Sequence, residues 1–322
     1  MKTRVTELLG IKYPVILGGL QWLGRAELAA AVSEAGGFGL ITAGSFANKD
    51  EMLAEINKAR KLTSKPIGLN ITLGTRRKMD EFFEGAIEAG IKAVFTSGRN
   101  PEPYIKSLKD AGVKIVHVVP GVRYAQKAES LGVDAVVIVG FEAGGHPGMD
   151  DVTLMSLIPK ASRVLEVPII AAGAIADGKG LAAALAMGAE GVQIGTRFVA
   201  TKECIAHQKV KEAITKASET DTILTLRSIN AAFRVLKTET AKKVLELENR
   251  SASMEELLTY AGGDAYVKVV RDGNLEAGMI SIGQGVGLIN EVKSVRDVIK
   301  SMISEAKDRL QVLNRFFNSW EV

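Results

Sequence analysis

VPIIAAGAI at residues 167–175, followed after fifteen residues by GVQIGTRF at 191–198, decides how this chain is read. Each segment is a short β-branched run that stops on glycine, at Gly173-Ala174 and Gly195-Thr196. The GLAAALAM stretch between them (180–187) has helical spacing. Two neighbouring strands ending in this way set bare backbone N–H groups side by side. A (β/α)8 barrel builds its phosphate site like this, after the seventh and eighth strands. A phosphorylated cofactor or substrate is therefore expected here.

Six further strand-like runs lie upstream, at Tyr13–Gly18, Phe38–Thr42, Pro66–Thr72, Ala93–Thr96, Val113–Val119 and Ala135–Gly140. With Val167–Ala172 and Gly191–Gly195 they make eight. Each is nearly continuous in apolar residues and is followed by helical spacing, as in Ala26–Ala35. That pattern belongs to a parallel sheet buried on both faces, and eight units close a barrel. EAGGFG (34–39), EAGIKA (88–93), DAGVKI (110–115), SLGVDA (130–135) and AMGAEG (186–191) repeat one theme: a helix end, a glycine, a new strand. The glycine is the expected left-handed residue after each helix.

The texture changes after Ala200. Lys, Glu and Thr dominate from Thr201 to about Arg250, which reads as helices, and MISIGQGVGLI (279–289) is apolar and glycine-rich. The expected division is a barrel over 1–200, a small and mainly helical cap over 201–290, and C-terminal helices over 291–322 packing back on the barrel. Leu310, Leu313, Phe316, Phe317 and Trp320 give that last segment an apolar face. It has two open readings, contact with the barrel or with a second subunit in a homodimer.

Composition narrows the function. A net charge of +4, with no Lys/Arg block interleaved with aromatics, does not call for nucleic acid. The single cysteine, Cys204, excludes an internal disulfide and a CxxC metal site. The N-terminus lacks the apolar core of a secretion signal, and no uncharged apolar run is long enough to span a membrane. A cytoplasmic protein is expected.

Functional groups of such a barrel sit at the C-terminal strand ends. Here those ends carry Gly18 to Trp22, Thr42 to Gly44, Asn70, Thr96 to Arg99, His117 to Pro120, Glu142 to His146, Gly173-Ala174 and Gln193 to Thr196. The ring is rich in glycine, amide and hydroxyl groups, Ser97 among them. It has no carboxylate cluster for a metal or a glycosidase site. It suits a flat heterocycle with polar edges, held by backbone and amide hydrogen bonds. Gly19-Leu20 allows close backbone approach, or is simply a tight turn. Asn70 either holds a ligand or ties two loops together. Glu142 either orients a ring edge or is a satisfied loop carboxylate.

His146, in FEAGGHPG, is the sharpest single residue. It titrates near neutrality in a loop fixed by Gly145 and Pro147, facing the barrel mouth. His117, within a strand, and His207, in a helical stretch, read as structural. Arg197 reads as the partner of an acidic helix end. Cys204 with His207 looks like one helix face rather than a nucleophile pair. GGFGLI (36–41) enters a strand rather than leaving one, and GQGVGL (283–288) lacks the following acidic residue, so neither is a dinucleotide fingerprint.

GGLQWLGRAELAAAVSEAGGFGLI, GLNITL, FEAGGHPG, AAGAIADGKGLAAALAMGAEGVQIGTRF and IGQGVG, in this order, resemble the nitronate monooxygenase (2-nitropropane dioxygenase) family. That family includes flavin-dependent enoyl-acyl-carrier-protein reductase II enzymes and NADH:quinone reductases. The resemblance implies a TIM barrel with a small domain over its mouth and FMN between them. It implies phosphate contacts at Gly173-Ala174 and Gln193-Ile194-Gly195-Thr196, flavin contacts at Asn70 and Gly19-Leu20, and a catalytic His146. Where many relatives have Gly-Gly, this chain has Gly173-Ala174, and the methyl implies a negative φ at Ala174. The substrate implied first is a nitronate. A quinone or an enoyl thioester, reduced with NAD(P)H, is the alternative. A non-flavin barrel enzyme acting on a phosphorylated substrate is more remote.

Overall fold

The computed structural model describes residues 2–74 and 77–319. Eight parallel strands form one sheet: β1 (Val15–Leu17), β2 (Gly39–Thr42), β3 (Ile67–Leu73), β4 (Ala93–Gly98), β5 (Lys114–Val119), β6 (Ala135–Val139), β7 (Ile169–Ala172) and β8 (Gly191–Ile194). β1 pairs with β8 in the register Val15–Val192, and a parallel bridge between Ile16 and Phe38 closes the ring towards β2. This is the TIM barrel that the eight apolar runs predict.

Ahead of the sheet comes α1 (Arg4–Leu9). The helices around the barrel are α2 (Ala26–Glu34), α3 (Lys49–Leu62), α4 (Asp80–Glu88), α5 (Glu102–Asp110), α6 (Val122–Ser130), α7 (Leu154–Ala161) and α8 (Gly178–Ala186). The repeated glycine theme is real. Gly36, Gly90, Gly112, Gly132 and Gly188 all have positive φ at the helix-to-strand turns. After β8 the chain forms the short α9 (Thr196–Val199), then α10 (Gln208–Lys216), α11 (Glu239–Asn249), α12 (Met254–Ala261), α13 (Gly263–Val270) and α14 (Val295–Asn318).

One expectation fails inside 201–250. That stretch is not all helix, because it carries an antiparallel hairpin of β9 (Thr222–Thr225) and β10 (Phe233–Leu236). The β-branched and aromatic content of TILT and FRVL wins there over the surrounding Lys and Glu. The C-terminal segment forms a single helix, α14, which packs along α8 and α2. Close packing fixes its position, since a Cβ on Gly178 would lie 2.4 Å from the Met302 carbonyl oxygen. Leu310 and Phe316 remain exposed on α14, and Trp320 lies outside the described residues.

His117 sits in the barrel wall, 6 % exposed, with Nδ1 2.8 Å from the Thr96 hydroxyl. Burial holds its pKa down to about 4, from an ordinary 6.5. As pH falls below 6.5 the unfolded chain takes up a proton here that the folded chain refuses until about 4. Stability is therefore lost across that window, by about 2–3 kcal/mol. Urea melts at pH 7 and 4.5 should show this loss reduced in His117→Gln. Equal pH dependence in the two proteins would contradict it.

Candidate active site

The C-terminal strand ends open into a cavity of about 840 Å³. Twelve of the thirteen site residues singled out in the sequence line it: Gly19, Leu20, Asn70, Ser97, Gly145, His146, Gly173, Ala174, Gln193, Ile194, Gly195 and Thr196. The thirteenth, Glu142, does not. Its Oε1 accepts a hydrogen bond from the Leu154 backbone N–H at the start of α7 (3.1 Å), while its Oε2 is buried without a hydrogen-bond partner among the described residues. It wedges under the β7 turn, with its Cγ 3.2 Å from where a Cβ on Gly173 would stand.

That turn corrects a second expectation. Ala174 has φ +48, in the left-handed region, following Gly173 at +149. An alanine there carries about 1 kcal/mol of backbone strain. Ala174→Gly should therefore stabilise the fold by about 0.5–1 kcal/mol, allowing for the greater freedom of glycine in the unfolded chain. A chemical melt checks the gain, and a destabilised variant would refute the strain.

On the β1 side the backbone comes in close. A Cβ on Gly19 would fall 2.4 Å from Asn70 Oδ1. Asn70 is buried, and its Nδ2 donates to the Phe95 carbonyl (3.2 Å), which aims the amide. At the β8 end, Gln193 Oε1 is buried without a hydrogen-bond partner. The Thr196 hydroxyl accepts from Gly283 N–H (3.1 Å), tying the 279–289 segment to the barrel.

The His146 loop is built jointly by barrel and hairpin. Gly145 N–H donates to the Arg234 carbonyl (3.0 Å), and Arg234 N–H donates back to Gly145 (2.7 Å). Arg234 also reaches Phe141, with its Nε donating to the carbonyl (3.1 Å) and its guanidinium over the ring. The His146 ring rests against Phe233, with centroids 4.7 Å apart. It is open to the cavity but packed by protein elsewhere, and burial pushes its pKa below the usual 6.5. His146 is thus poised as a neutral imidazole at pH 7. Among the described residues, no Asp, Glu, Lys or Arg lines the cavity.

The remaining candidates fall elsewhere. His207 caps α10, its Nδ1 accepting from Lys209 N–H. The Cys204 thiol is buried, and burial pushes its pKa up to about 11, which suits no nucleophile. Arg197 meets no acidic helix end. Its guanidinium donates to the carbonyls of Ala200 (2.6 Å) and Glu291 (2.8 Å), joining β8 to the entry of α14. Sequence reasoning missed the upper wall, formed by Asn230–Phe233, Tyr260, Tyr266, Met279 and Ser281. The alternation in AAFRVL was the only available signal, and it marks a strand rather than a site.

The sequence model of the family described as nitronate monooxygenase matches residues 2–305. The chain belongs to that family. A probable nitronate monooxygenase of Staphylococcus saprophyticus is 33 % identical over 293 residues, covering 77 % of this chain and 82 % of that one. The (3aS,4S,5R,7aS)-5-hydroxy-7a-methyl-1-oxo-octahydro-1H-indene-4-carboxyl-CoA dehydrogenase of Mycobacterium tuberculosis is 31 % identical over 351 residues, 97 % of this chain and 98 % of that one. The solved structure of FabK from Thermotoga maritima superposes with a TM-score of 0.91 at 42 % identity, over 98 % of this chain and 99 % of that one.

The nitronate monooxygenase family comprises flavin-dependent oxidoreductases. The cavity fits such a group on three counts. Gln193 offers a buried acceptor that nothing in the protein satisfies. Gly19 presents bare backbone to the cavity, and a Cβ there would strike the Asn70 amide. The ends of β7 and β8 present backbone where a phosphate needs neutral donors. Among the described residues no helix is long and apolar enough to cross a membrane, and no cluster of three or more His, Cys, Asp or Glu side chains is placed to hold a metal.

Proposed function

We propose that this chain binds FMN in the 840 Å³ cavity and oxidises alkyl nitronates with O2. Backbone groups of Gly173-Ala174 and Gln193–Thr196 hold the phosphate. Asn70, Ser97 and Gln193 supply neutral donors and acceptors for the ring edge, while Gly19, Leu20 and Gly145 let backbone approach its plane. FMN supplies a two-electron redox couple when bound. His146 sits beside the reacting carbon as a neutral imidazole and holds or moves the proton at a ring nitrogen. The observation that carries the reading is that His146 supplies the one imidazole lining the cavity among the described residues, and burial holds it towards its neutral form.

A second reading is NAD(P)H-dependent reduction of an enoyl thioester. The 42 % identity to FabK along nearly the whole chain, and the similarity to a CoA-thioester dehydrogenase, favour it. So does the absence, among the described residues, of any charged lining side chain, which suits a neutral conjugated substrate. His146 would then deliver the proton to the carbon next to the thioester carbonyl.

Anaerobic mixing of the FMN-loaded protein separates the two. Rapid bleaching of the visible flavin band by an alkyl nitronate, and slow bleaching by NADH or NADPH, is the expected result. The reverse, with colour restored by an enoyl thioester, establishes the second reading. Bleaching by neither overturns both.

A further inference from the structure

A second cavity, of about 660 Å³, opens at the opposite end of the barrel, beside the N-terminal ends of β1, β2 and β3. Its walls come from the turns before those strands and from one side of α14. Lys12, Lys65, Arg296, Lys300 and Lys307 line it, against one carboxylate, Glu34. Arg296, Lys300 and Lys307 follow helical spacing, so α14 presents them along one face. None of the five cations is ion-paired among the described residues. Glu34 is engaged instead with the Thr63 hydroxyl (2.5 Å).

The floor is built rather than loose. Lys12 N–H (3.1 Å) and Tyr13 N–H (2.8 Å) both donate to the Gly36 carbonyl. The Ser33 hydroxyl donates to the Pro66 carbonyl (2.7 Å), so the three turns are cross-linked. Five exposed like charges around one concavity repel each other, and a bound polyanion would neutralise them. A single phosphate would meet two or three of these groups. Spread along a groove of this size, the set matches a chain of phosphates. Tyr13 also lines the cavity, with Lys12 Nζ over its ring 5.0 Å from the centroid.

We propose that this cavity is a binding site for a small oligophosphate, remote from the flavin site and independent of the substrate reading above. The test uses FMN-saturated protein, so that the flavin phosphate site is blocked, with inorganic tripolyphosphate and ATP as probes in calorimetric titrations. Saturable one-to-one binding of tripolyphosphate is expected, weakened at least about tenfold in Lys300→Glu/Lys307→Glu, with flavin content and turnover unchanged. Binding of ATP more tightly than tripolyphosphate identifies a nucleotide, and equal binding identifies the phosphate chain alone. No saturable binding of either probe in the millimolar range, or undiminished binding in the double variant, overturns the proposal. A variant that misfolds would lose its flavin, in which case Lys12→Glu/Lys65→Glu repeats the test from the other wall.

Discussion

His146→Ala should lower kcat by about 10²–10⁴-fold while the protein keeps its full complement of FMN. The imidazole stands in a loop whose backbone is clamped to β10 through Gly145 and Arg234, so removing the side chain leaves the loop in place. Phe233 loses a ring contact but retains the hairpin around it. Loss of rate without loss of colour is therefore the signature of a proton-handling group. The pH profile carries a sign. Burial lowers the pKa of this ring from 6.5, so the neutral form persists above that value. Under the nitronate reading the wild-type rate should be level above pH 6.5 and fall only below it. Steady-state kinetics on both proteins, with flavin content measured alongside, decides. Full turnover in the variant would remove His146 from the mechanism.

Gly39→Ala should cost about 3 kcal/mol or more of stability. α2 lies directly on β2, and a Cβ at Gly39 would stand 1.9 Å from the Ala29 carbonyl oxygen and 2.5 Å from its carbon. Both are backbone atoms of a helix already pressed close through Ala26, Ala29 and Ala30, so no side chain can swing away. The helix must lift from the sheet. Calorimetry should show a melting temperature lower by roughly 10 °C, or an insoluble protein. An unchanged melting temperature would mean that α2 does not pack as described.

The barrel was legible because its information is local. Apolar runs of four to seven residues set the strands, and five glycines with positive φ mark the turns between helix and strand. Strand ends then locate the cavity, since a parallel barrel puts them all at one mouth. Hence Asn70, His146 and the β7 and β8 ends converge as expected. Ala174 misled because a methyl argues for negative φ, and the tertiary fit around Glu142 and Gly285 outweighs that preference. Glu142 stands just behind the lining. Its place in the sequence beside His146 does not reveal that it turns back to meet Leu154 N–H. The upper wall stayed hidden because Phe233, Tyr260 and Met279 come from three separate segments, joined only by the packing of the hairpin and helices over the mouth.

Titrating the flavin-free protein with FMN and with riboflavin tests the central claim most directly. The strand ends at Gly173-Ala174 and Gln193–Thr196 are held to grip a phosphate through backbone donors alone. FMN should bind one per chain, and riboflavin, which lacks the phosphate, about a hundredfold more weakly, as expected for the loss of about 3 kcal/mol of charge-assisted hydrogen bonding. Failure to take up FMN, or riboflavin binding as tightly as FMN, would contradict the account.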